Sequence, residues 1–281
     1  MKTNNKKLLL VAAMLLAVFS INCANEETSD DTSGYSISGI VSKGPVDNSI
    51  VKVYKLNTDA SRGELLGSTT TAADGSYSLA IQYNGAVEIA ASGGSYSDEA
   101  TGLQVTLQAG YEMKTYMASV SKQTKAAVTA LTTIAAAHAY ANAGTNLSTA
   151  ISDASTQVAN QFGLSGADIT KEQPTDLTVD SGLALGYTYR HAEKYGAVLA
   201  AFSQYAEDTA VSETEVPLLI ENMAEDFSDD GVMNNSASLH IITLQSQECA
   251  TNMNTYMNSF MTSTENQSGL TNTDLTQNPG L

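Results

Sequence analysis

The chain has 281 residues, 42% of them apolar, which is enough to bury a core and excludes wholesale disorder. Its 13 Lys and Arg are outnumbered by 30 Asp and Glu, and a net charge of −17 repels phosphate, arguing against nucleic acid and against charge-driven docking to anionic lipid. Two cysteines cannot make a disulfide scaffold, and three histidines leave little for a metal or catalytic cluster.

Lys2, Lys6 and Lys7 precede an unbroken apolar run, Leu8 to Phe19. That run is too short to span a bilayer, which needs about 20 residues, so it reads as a secretory signal over residues 1–22. It ends in Ser20-Ile21-Asn22-Cys23, which resembles the lipobox of bacterial lipoproteins. Asn22 stands where that pattern has a small residue, and the leucine three positions upstream is missing. The resemblance implies cleavage before Cys23 and covalent acylation of its thiol, with a palmitate-type chain on the new amine. Loss of residues 1–22 removes three lysines and no acids, taking the charge to −20. Residues 23–34, rich in Glu, Asp, Ser and Thr, read as the lipidated Cys23 and a flexible acidic tether. With Cys23 lipidated, Cys249 has no disulfide partner.

Residues 35–121 alternate with period two, as in Tyr35–Ile40, Ile50–Tyr54 and Tyr77–Ile81. Lys43-Gly44-Pro45, Asp74-Gly75 and Gly93-Gly94 supply turn chemistry, and Asp74-Gly75 between two β-rich runs predicts a hairpin. About seven short strands with such turns predict an antiparallel β-sandwich. The stretches SGIVSKGPVDNSIVKVYKL, LLGSTTTAADGSYSL and GSYSDEATG resemble the transthyretin-like, carboxypeptidase-regulatory-type β-sandwich of bacterial surface lipoproteins. The resemblance implies that fold and a non-catalytic accessory or spacer role.

Residues 122–262 switch to helical spacing. Val128, Leu131, Ala135 and His138 share one face of a helix ending at Gly144, and Asn146 caps a second carrying Leu147, Ile151, Ala154, Val158 and Phe162. A connector over 164–178 leads to a long helix with Leu185, Tyr189, Ala192, Leu199 and Phe202 in register. Val216, Leu219, Met223 and Phe227 mark a shorter one. Leu239, Ile242, Ser246, Cys249, Met253, Tyr256 and Phe260 mark the last. Together they predict an α-helical bundle, and the whole chain an α+β multidomain protein. The stretches VTALTTIAAAHAYA and ANQFGLSGADITKEQPTDL also resemble the helical half that follows this β-domain in related lipoproteins. Residues 263–281 are polar and read as a loose tail.

His138, His191 and His240 fall on separate helices, outside any nucleophile elbow or paired-histidine zinc motif, so no catalytic set is expected. Cys249 and the group Met253, Met257 and Met261 read as apolar packing. Asp226, Ser228 and Asp230 followed by Gly231 match the first half of a calcium-binding EF-hand loop, with Asn234 at the ninth position. The twelfth is Ala237, where a bidentate Glu belongs, so an acidic helix end is the competing reading. The sequence thus predicts a non-enzymatic lipoprotein of the outer membrane or cell surface. It would need no cofactor beyond the lipid on Cys23, and it would bind or display to a protein partner with a basic face. A structural or assembly subunit on the periplasmic side of a membrane is the alternative.

Overall fold

Nine strands are followed by six helices in the computed structural model, which describes residues 34–144, 146–180, 182 and 191–271. The strands are β1 (Tyr35–Ser42), β2 (Ile50–Leu56), β3 (Arg62–Thr70), β4 (Ser76–Ile81), β5 (Val87–Ser92), β6 (Ser95–Ser97), β7 (Gln104–Thr106), β8 (Glu112–Met117) and β9 (Gln123–Thr129). They form a three-stranded sheet in the order β4-β1-β9, a four-stranded sheet in the order β3-β2-β5-β8, and the small pair β6-β7. All pairings are antiparallel except β1 with β9, which run parallel from Ser36↔Gln123 to Ser42↔Thr129. Alternation sets the buried faces: Ile37 and Val41 of β1, Val51 and Val53 of β2, and Val87 and Ile89 of β5 are wholly buried in one cluster drawn from both larger sheets. Arg62 and Glu64 on edge strand β3 stay outside, where charge discourages pairing with another chain.

The Asp74-Gly75 turn forms, but not as a hairpin. Gly75 takes φ +74°, Asp74 accepts the Ser76 N–H at 3.0 Å, and Gly75 N–H donates to the Ala72 carbonyl. Yet β3 pairs with β2 and β4 with β1, so the turn carries the chain from one sheet to the other. A Cβ at Gly75 would lie 2.5 Å from the Val41 carbonyl oxygen, which is why glycine occupies this corner.

The helices are α1 (Ala130–Ala141), α2 (Leu147–Gln161), α3 (His191–Asp208), α4 (Val216–Asp230), α5 (Ser246–Thr251) and α6 (Met253–Thr262), with one turn of 3-10 helix at Glu213–Glu215. The expected start of the helical region at residue 122 moves to 130, because 123–129 is a strand. Its exposed Gln123 and Lys125 alternate with inward residues, a period of two, and Val128 belongs to β9 rather than to a helix face. Thr129 ends the strand and caps α1 at once: it exchanges side-chain and backbone hydrogen bonds with Thr132. α1 is buried nearly all round, its alanines admitting β8, α2 and α4 at close range. Among the described residues from Gly34 onward, strands and helices share one compact unit.

Two further expectations change. Leu239 and Ile242 lie outside helix: Asn222 of α4 accepts the His240 N–H and donates to the His240 carbonyl, and this pair holds the segment non-helical. The apolar series therefore begins as helix only at Ser246 and is divided at Asn252 into α5 and α6. Part of the expected loose tail is packed, since Ser268 and Leu270 are buried and Gln267 N–H donates to the Leu177 carbonyl. Leu185 and Tyr189 lie outside the described residues, as do 272–281.

Candidate functional site

A groove of about 780 Å³ lies between β9, α2 and the loop 166–171. One wall is the edge of the β4-β1-β9 sheet. The Lys122 carbonyl accepts from Ser36 of β1, whereas Ala127 N–H turns the other way and donates to the Thr170 carbonyl at 2.8 Å. Backbone groups alternate along a strand, so those of Gln123 and Lys125 face the groove side with Ala127. The opposite wall is α2, whose first turn is fixed by Asn146 accepting the Thr149 N–H at 3.1 Å. Ile151, Ala154 and Val158 bury its apolar stripe, and this leaves Ser148, Ser152, Ser155 and Thr156 lining the groove. Eight of the lining residues are Ser or Thr, so the surface offers hydroxyl donors and acceptors more than apolar area. Lys125 and Lys171 put positive charge here, in a chain that is acidic overall.

Asp168 shapes the loop. It accepts from the Thr170 N–H and hydroxyl and pairs with the Lys171 ammonium at 2.7 Å. Partial burial opposes its charge, but Lys171 and Thr170 outweigh that and hold the carboxyl below the ordinary carboxylate range. A depressed acid contributes stability above its unfolded value near 3.9 and loses it as pH falls through the lower folded value. Replacing Asp168 with Asn should therefore narrow the melting-temperature gap to wild type between about pH 5 and about pH 2, read by thermal denaturation at each pH.

The calcium-candidate residues Asp226, Ser228 and Asp230 all lie within α4. Asp226 and Asp230, four residues apart, share a face and both bond Asn234, while Ser228 between them turns to the other side. The buried Asp226 carboxylate accepts the N–H groups of Asn234, Asn235 and Ser236 at 2.8–3.0 Å and the Ser236 hydroxyl at 3.2 Å. Ser228 donates to the Glu225 carbonyl, while Asp230 accepts from Val232 N–H and from the Asn234 amide. Gly231, at φ +77°, stops the helix, so the segment is an acidic helix end whose carboxylates fold the next loop. Among the described residues no group of three or more His, Cys, Asp or Glu is placed to hold a metal ion. Asp226→Ala should cost about 1–3 kcal/mol by stranding those amides, and a chelator should leave the wild-type melting curve unmoved.

Cys23 lies outside the described residues. Cys249 is wholly buried, and burial pushes its thiol far above the ordinary range, leaving a poor nucleophile. The histidines stay apart: His138 packs on Phe227 at 5.0 Å between ring centroids, and His240 meets Glu221 at 2.6 Å. The ring Nε2 of His191 is buried with no hydrogen-bond partner.

A second cluster escaped sequence reasoning. Lys43, in the turn after β1, is 1% exposed and its Nζ lies 2.6 Å from Glu99 Oε2 and 2.8 Å from Ser203 Oγ on α3. Ser203 Oγ also lies 2.5 Å from Asp98 Oδ2 and 2.8 Å from Glu99 Oε2. Asp98 is oriented by Ala100 N–H, Thr101 N–H and the Thr101 hydroxyl, all on Oδ1. The Tyr96 ring covers the ammonium, its centroid 5.5 Å from Nζ. Lysine beside Gly-Pro and adjacent acids after a tyrosine were visible in sequence, but no local spacing joins residues 43, 99 and 203.

Neither a protein-family model nor a curated protein sequence matches the chain.

Proposed function

We propose that this chain is a lipid-anchored envelope protein, attached through Cys23, that works by binding and without catalysis. Its binding site is the groove between β9 and α2, and its ligand an extended segment of a protein partner. The groove is the observation that carries the reading: a sheet edge with outward backbone groups lies opposite a row of hydroxyls, which suits main-chain pairing along β9 and polar contacts to α2. The basic run and apolar segment before Cys23 support export and anchoring at the outer membrane or cell surface. The apolar cluster shared by both sheets supports a β-sandwich of the transthyretin-like kind, and the packing of α1 with α2 and α4 supports a bundle. The acidic exterior favours a partner with a basic face around the bound segment.

A photo-crosslinking residue at Ser152, in the full chain in its native membrane, tests this. A single cross-linked protein is expected, lost when Lys125→Pro removes an edge N–H and weakened between about 50 and 500 mM salt. Capture unchanged by Lys125→Pro, or equal capture from a residue on the exposed face of β3, would overturn the assignment of the groove.

A further inference from the structure

We propose that Lys43 and Glu99 become joined by an intramolecular amide bond between Nζ and the Glu99 side-chain carbonyl carbon. The reacting groups are in contact at 2.6 Å, both nearly inaccessible to water, and fixed by separate elements: the turn after β1 and the β6–β7 loop. Gly44 at φ +67° and Pro45 set that turn, while Tyr96 closes the site over the ammonium. Holding an amine against a carboxyl in this way supplies effective concentrations of ~10⁵ M or more. The reaction also removes two buried charges, whose desolvation the ion pair only partly offsets.

Ser203 and Asp98 supply the proton path. Ser203 Oγ touches Lys43 Nζ, Asp98 Oδ2 and Glu99 Oε2. The ammonium passes one proton through Ser203 Oγ to Glu99 Oε2, which leaves a neutral amine beside a neutral acid. The amine then attacks Glu99 Cδ, forming the C–N bond, and its nitrogen gives a second proton through Ser203 to Asp98. Asp98 returns that proton through Ser203 to Oε2, and the Cδ–Oε2 bond breaks. Of the ammonium's three hydrogens, one stays on the amide nitrogen and two leave with Oε2 as water. Asp98 ends as the carboxylate it began as, and no oxidant, reductant or other co-reactant is consumed. Burial first, and the neighbouring Asp98 charge as well, push the Glu99 carboxyl toward its neutral form, which is the form an amine attacks. Ser203 comes from α3, so the bond forms only once strands and helices have packed together.

The test is the mass of the purified full chain beside Lys43→Arg, which keeps the charge and cannot form the amide under these conditions. Both carry the same N-terminus, so any lipid cancels. Wild type is expected to be lighter than its sequence by one water relative to that variant. Trypsin should leave Lys43 uncut, and tandem mass spectrometry should find a branched peptide joining it to Glu99. Glu99→Gln should form the same link with loss of ammonia. Ser203→Ala and Asp98→Asn, with native circular dichroism, should slow its appearance by about 10²–10⁴-fold, the usual scale for a lost proton-transfer group. Full sequence mass with normal cleavage after Lys43 overturns the bond. Equal rates in Ser203→Ala overturn the relay.

Discussion

Lys43→Met should lower the thermal midpoint by roughly 6–20 °C, as expected for a loss of about 3–5 kcal/mol in a unit of this size. The substitution nearly preserves side-chain length and volume, so the loss is not one of packing. It leaves Glu99 and Asp98 buried at 5% and 1% exposure with no cation in contact, and Ser203 with two acceptors and one proton. Removing one member of a buried pair costs far more than the pair itself contributes. Adding Glu99→Leu to Lys43→Met should therefore recover a large part of the lost midpoint. A double variant as unstable as the single one would show that the charges are not the cause. The figure counts ionic pairing alone, and a covalent link adds to it.

Gly39→Ala should be comparably damaging, on the order of 4 kcal/mol or more, although alanine suits a strand slightly better than glycine. Gly39 sits in β1 at the parallel join to β9, opposite Ala126. A Cβ there would lie 1.7 Å from the Ala126 carbonyl oxygen and 2.7 Å from its carbon, so two backbones would have to part. That same carbonyl accepts the buried Tyr77 hydroxyl at 2.9 Å, a bond that would shift with it. Gly93 is the control: a Cβ meets nothing within 4 Å, and its φ of +65° is the only obstacle. Gly93→Ala should cost about 1–2 kcal/mol. Chemical denaturation of the three proteins decides it, and equal losses would place the cost in conformation rather than in the β1–β9 contact.

Element type was legible wherever one face is buried and the other wet. Ile50–Tyr54 alternates and is a strand, and Asn146 with Ile151, Ala154 and Val158 marks α2 by cap and period together. Legibility failed where both sides of an element are covered. Val128 carries no period of its own because β9 passes into α1 without a linker, and the two form one apolar run. The Asp74-Gly75 turn was readable as a turn, but the pairing of its flanking strands depends on β1 and β2, which lie outside the local window. Asp226, Ser228 and Asp230 carry oxygen donors at ligand spacing in sequence, yet all three are helical because Phe227 and Met223 bury that helix in the core. The groove was hidden for a simpler reason. Its walls, β9 and α2, are each ordinary in sequence and become a site only by lying opposite each other.

The parallel pairing of β1 with β9 also sets a timetable. A chain made from its N-terminus presents Ser36 long before Gln123, its partner, exists. Until then β1 can pair with β4 on one side only, and its other edge stays open as a template for a neighbouring chain. Closing so long a loop is entropically slow, so the three-stranded sheet is completed late. The open edge is therefore a period of exposure to aggregation, and a chaperone that shields extended segments would act on β1 during that interval. A fragment ending before Gln123 would never leave it.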